Sequence, residues 1–133
     1  MYEWLKDYQK LEEELAYLEF NLEQTEIELK RWTSGDLAKV KLQEDSLGAK
    51  VEEVIEKIKN DITFKKEQRE KLIQLVNTFK GLDNQILKMK YIDGMTLESI
   101  AEELNYSASY IYKKHAEMIR MIKFAETMNL SLN

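Results

Sequence analysis

Apolar side chains recur along the first quarter of the chain at intervals of four and three residues. Trp4, Tyr8, Leu11, Leu15, Leu18, Leu22, Thr25, Leu29 and Trp32 keep this alternation without a slip, and only Thr25 is polar. Such a series holds one seam on one side of a helix for about eight turns. Gly35 suits the helix end. Residues 36–46, "DLAKVKLQEDS", show no clear period and read as a loop, with a turn of helix within it as the alternative. A second series starts near Leu47 and runs through Val51, Ile55, Ile58 and Ile62. Lys65 and Arg69 then take seam positions, before Leu72, Val76 and Phe79 restore them. Gly81 is the expected stop. Two long helices with a short connection fold back on each other, so residues 1–80 are expected to form an antiparallel, coiled-coil-like hairpin.

The last third changes character. Asp83 is placed to cap a short helix carrying Ile86, Leu87 and Met89, and "YIDGMT" breaks it. Thr96 stands where an N-cap belongs, ahead of Leu97, Ile100, Ala101 and Leu104. Ser99 occupies the position where a capping box would have Glu or Gln. Asn105 falls at a sharp turn that wants a positive φ, which Asn tolerates better than most residues. Ser107 caps the next helix, whose inner face is Ile111, His115, Met118 and Ile122. Ala101 allows two helices to cross closely, and Ile111 fills the gap between them. Helices are thus predicted near 3–32, 47–80, 83–91, 96–104 and 107–126. The fold class is all-α: a long N-terminal hairpin over 1–80, then a trihelical helix-turn-helix domain over 81–133.

Composition agrees with that reading. The 133 residues include no proline, no cysteine and four glycines, so helices are seldom interrupted. Without cysteine, disulfides and zinc–thiolate sites are excluded. No apolar run approaches the ~20 residues that span a bilayer, so no membrane association is expected. The start, "MYEWLKDYQK", lacks the apolar centre of a signal peptide, and a cytoplasmic protein is expected.

Charge is unevenly placed. The formal net charge is −5, and residues 1–34 hold the whole excess, with nine acidic and four basic side chains. Asp7, Glu12, Glu14, Glu19, Glu26 and Glu28 flank the first seam. Lys57, Lys59, Lys65, Lys66, Arg69 and Lys71 on the second helix are available to answer them. Each exposed pair contributes only ~0.2–1 kcal/mol, so charge selects the partner while the seam stabilises. Within residues 107–123, Lys113, Lys114, Arg120 and Lys123 face Glu117 alone. That local basic cluster is what a phosphate backbone would meet.

Little suggests catalysis. No glycine-rich phosphate loop is present, and the carboxylates lie along helical faces rather than in an acid–base pair. His115, the single histidine, reads as a hydrogen-bonded core or rim residue. No second His or Cys completes a metal site, so neither an enzyme nor a bound cofactor or metal is expected.

The segment "ILKMKYIDGMTLESIAEELNYSASYIYKKHAEMIRMIKF" resembles region 4 of sigma-70-type factors. Over most of the chain the order of segments is similar to small phage and prophage proteins of sigma-70-region-4-like type, near the RinA and ArpU phage transcription regulators. Ser99 in "MTLESIA" and Asn105 in "NYS" depart mildly from that pattern. The resemblance implies a DNA-binding transcriptional regulator in a bacterial host cell. By position it puts Ser107, Ala108, Ser109, Tyr112 and Lys113 towards the major groove of double-stranded DNA. Tyr110 and Lys114 fall at the groove edge, and Thr96 on a phosphate. The coils would then form a homodimer or dock on RNA polymerase. Two alternatives remain: a DNA-packaging protein like a terminase small subunit, and a module that binds protein only.

Overall fold

The computed structural model describes residues 1–34 and 41–132, and the protein is all-α. Among the described residues, six α-helices follow in order: α1 Tyr2–Lys6, α2 Tyr8–Ser34, α3 Lys41–Thr78, α4 Gly81–Leu87, α5 Leu97–Leu104 and α6 Ala108–Leu132. One π-helical turn, Lys88–Ile92, extends α4. No strand occurs among the described residues.

Helix extents differ from expectation in four places. The first helix is divided at Asp7, whose φ of −97° and ψ of 14° interrupt the ladder. Residues 41–46, expected as loop, are helical. Lys, Leu, Gln and Glu are good helix formers, and an established α3 needs only one more hydrogen bond per added residue. The rest of that expected loop, 36–40, lies outside the described residues. Asp83 does not cap α4: the N-cap is Lys80, and Gly81 takes the positive φ of +59° that the junction with α3 requires. Finally, α6 runs on past residue 126 to Leu132.

Contacts divide the chain into two units, and not at residue 80. One unit is Met1–Leu11 with Gln68–Asn133; the other is Glu12–Glu67. In the second unit, α2 and α3 lie antiparallel. Lys65 Nζ reaches Glu14 Oε2 at 3.4 Å and Lys66 Nζ reaches Glu19 Oε1 at 3.5 Å. Further along, Thr25, Glu28 and Trp32 share a groove with Lys50, Val51 and Val54. Among the described residues of this unit, Leu15, Ile55, Ile58 and Ile62 are the buried apolar side chains, all at seam positions. Lys65 stays in the seam because its stem is covered while its ammonium meets Glu14 and, at 3.4 Å, Asp61.

The other unit holds the larger core. Leu5, Leu72, Val76, Ile86, Leu87, Ile100 and Ile111 have essentially no exposed surface. Here the seam shifts by one residue: Leu5 is buried while Trp4 is 39 % exposed. The interruption at Asp7 accounts for this, because α1 does not continue the phase of α2. Helix α6 packs on α1, α4 and α5. The Tyr2 N–H donates to Glu126 at 2.7 Å, and Asn84 Nδ2 donates to the Val76 carbonyl at 2.9 Å.

Candidate nucleic-acid interface

The α5–turn–α6 segment is organised by short-range hydrogen bonds. Thr96 is the N-cap of α5. Its Oγ1 accepts from the Ser99 N–H at 3.1 Å and donates to Ser99 Oγ at 2.9 Å. Ser99 thus uses its hydroxyl where a capping box would have Glu or Gln, and Thr96's one hydroxyl proton is engaged. Asn105 ends α5 with φ 60° and ψ 42°. The Tyr106 N–H returns to the Ala101 carbonyl at 2.9 Å and the Asn105 N–H to Glu102 at 3.3 Å. This is a Schellman closure with Asn in the left-handed position usually held by Gly. Ser107 Oγ then accepts from the Tyr110 N–H at 3.2 Å, capping α6. Ile111 is fully buried behind the turn, and Ala101 is 3 % exposed at the crossing.

The residues expected at the groove part into two sets. Ser107, Ala108, Ser109, Tyr110, Tyr112 and Lys113 are all exposed at the start of α6. The Tyr110 ring stacks on Tyr106, with centroids 5.2 Å apart and planes at 26°. Tyr112 donates its hydroxyl proton to Glu98 Oε1 of α5. Lys113 makes no ion pair among the described residues. Lys114 is placed otherwise: its Nζ lies 3.0 Å from Asp83 Oδ1 of α4. That oxygen is buried, and the Lys114 ammonium is the group that answers it. The Asp83 carboxylate raises the Lys114 pKa, by hydrogen bonding first and charge second. Lys114 is therefore an anchor between helices. Lys123 is also occupied, standing 4.5 Å above the Tyr2 ring. Of the four basic side chains in 107–123, Lys113 and Arg120 remain directed to solvent.

His115 sits one turn below Ile111, half-buried. Its Nε2 is 2.6 Å from the Tyr91 hydroxyl, and the rings stack at 5.7 Å and 27°. Burial, then the charge of Lys90, lowers the His115 pKa below the ordinary histidine value. Burial, with Tyr2 beside it, pushes the Tyr91 hydroxyl upwards. A neutral imidazole and a protonated phenol therefore share one hydrogen bond at neutral pH. Sequence reasoning missed Tyr91, Asp83 and Glu98 as partners, and no periodicity points to them. Their partners lie 24, 31 and 14 residues away.

Among the described residues, no group of three or more His, Asp or Glu side chains is arranged to hold a metal ion. No described helix is long and apolar enough to cross a membrane. No curated protein and no solved structure matches the chain. Residues 37–123, about two thirds of its length, match the family described as "Protein of unknown function (DUF1492)". The chain belongs to that family, and the matched span contains the whole of α3, α4 and α5, the capped turn, and α6 as far as Lys123.

Proposed function

We propose that the protein is a phage-type, DNA-binding transcriptional regulator of sigma-70-region-4-like kind, with the first turns of α6 entering the major groove. The observation that carries the reading is the Schellman-closed turn at Asn105, joining a Thr96-capped helix to a Ser107-capped one. Ile111 and Ala101 set the crossing, and Ser109, Tyr112 and Lys113 stand exposed at the start of the second helix. That is the arrangement by which a recognition helix presents its N-terminal residues to base edges. Lys113 and Arg120 serve the phosphates. Ser109 and Tyr112 reach the bases, and the bond to Glu98 uses Tyr112's donor, leaving its oxygen to accept from a base amino group.

Two phosphate contacts make a weak monomer, so tight binding calls for a dimer. The α2–α3 hairpin supports one. Tyr17, Phe20, Ile27, Val54 and Phe64 are 45–67 % exposed there, and large exposed apolar surface marks an interaction site. In the same reading the hairpin joins two copies or docks on RNA polymerase. Selection of the full chain on random duplex DNA tests the proposal and is expected to enrich one motif with two half-sites. If no motif emerges and no binding is seen at ~50 mM salt, the DNA reading fails and a protein-binding role replaces it.

A further inference from the structure

Behind α6, on the side away from Lys113, the unit that contains α6 holds an open pocket of about 390 Å³. Helices α1 and α2 contribute Tyr2, Lys6 and Gln9 to its wall. The π-helical turn contributes Lys90 and Tyr91, and α6 contributes His115. The turn is itself unusual. The Asp93 N–H spans back to the Lys88 carbonyl at 3.0 Å, a wider loop than an α-helix makes. Single π-helical turns occur often at functional sites. Gln9 holds this one by donating from Nε2 to the Ile92 carbonyl.

The electrostatics of the wall are one-sided. Lys6 and Lys90 line the pocket, and no carboxylate does. Lys90 is half-buried and makes no ion pair among the described residues. Lys6 meets Glu3 at 3.7 Å, but both side chains are largely in solvent, which leaves that pair weak. Lys123 lies outside the wall, over the Tyr2 ring, with the Glu126 carboxylate beside it. The Tyr91 hydroxyl and His115 Nε2 hydrogen-bond each other at the same place, which leaves at most one proton of the pair for an anion. Two ammonium groups in one pocket wall act as point charges and suit a tetrahedral dianion. A planar carboxylate is matched better by the guanidinium fork, which the wall lacks.

We propose that this pocket binds a phosphate group, carried either by a small molecule or by a nucleic-acid backbone. The site is separate from the α6 groove face and does not depend on the DNA-binding reading, because free phosphate alone tests it. It is nonetheless tied to α6 through His115, three residues after Tyr112. An occupied pocket therefore acts on the same helix that carries Ser109 and Lys113.

The single histidine gives a clean reporter. The imidazole C–H resonances of the full chain are followed by NMR during titration with inorganic phosphate, against chloride at equal ionic strength. A second arm uses duplex DNA. A saturable shift with half-saturation at about 1–10 mM phosphate is expected. The His115 titration midpoint should move upwards, since an anion offsets the charge of Lys90. Lys90→Ala should raise the half-saturating concentration roughly tenfold or more. Lys6→Ala, on a different helix, should do the same, and it decides the matter if Lys90→Ala fails to fold. A Lys90-dependent response to duplex alone keeps the phosphate site and assigns the backbone as its source. No response in either arm, or one that both lysine variants leave unchanged, overturns the proposal.

Discussion

Lys113 and Lys114 are neighbours in sequence with the same charge, yet they stand in different surroundings, and in the proposed DNA-binding reading the salt dependence of binding separates them. Lys114 is held 3.0 Å from Asp83, and Lys123 stands over the Tyr2 ring, so the proposed reading gives the phosphates to Lys113 and Arg120. At about 0.9 in log–log slope per neutralised phosphate, two contacts per protomer give a slope of about −3.6 for a dimer. Between 50 and 200 mM salt, affinity should then fall by about 150-fold. Lys113→Ala removes one contact per protomer, which brings the slope to about −1.8 and the fall to about 12-fold. Lys114→Ala should leave the slope where it was and lower the thermal midpoint instead, because the buried Asp83 oxygen loses its cation. Fluorescence anisotropy on the selected duplex at five or so salt concentrations measures the slopes, and circular dichroism follows the melt. If Lys114→Ala flattens the slope as much as Lys113→Ala does, the anchoring role of Lys114 is wrong. An unchanged slope in Lys113→Ala would remove Lys113 from the phosphate contact.

Asn105→Val should cost about 1–2 kcal/mol in urea unfolding, because a β-branched side chain at φ 60° meets the following carbonyl, whereas Asn105→Gly should be tolerated. The His115 pKa lies below its unfolded value near 6.5, so the unfolded chain binds more protons between the two values. Stability from this group is present above about pH 6.5 and is lost as the pH falls through the folded value; a His115→Gln chain unfolded at the same series of pH values should lack that component. A piece starting at Gly81 should fail to unfold cooperatively, since Leu5, Tyr8, Leu11, Leu72 and Val76 complete its core from outside. A sharp melting transition in that piece would contradict the division of the chain described above.

Much of this protein is legible along the chain, and the reason is distance. Heptad spacing marked Leu15, Ile55, Ile58 and Ile62 as the inner face of α2 and α3, because a helix turns every 3.6 residues whatever surrounds it. The caps at Thr96 and Ser107 and the left-handed turn at Asn105 join groups within a few residues of one another, so residue type and position suffice to place them. The same local rule misplaced Trp4, whose helix is interrupted at Asp7 and therefore loses phase with the seam. What tertiary structure alone decided is pairing between distant segments. Docking of α6 on α4 brings Lys114 to Asp83 and turns an expected phosphate ligand into an anchor. The approach of α1 to α6 sets Tyr2 beneath Lys123. The π-helical turn sets Tyr91 against His115, and it is held by Gln9 from 83 residues earlier. No period or cap carries such information, because these contacts depend on how several helices bury their apolar faces together, and only the assembled core fixes which polar groups are left facing one another.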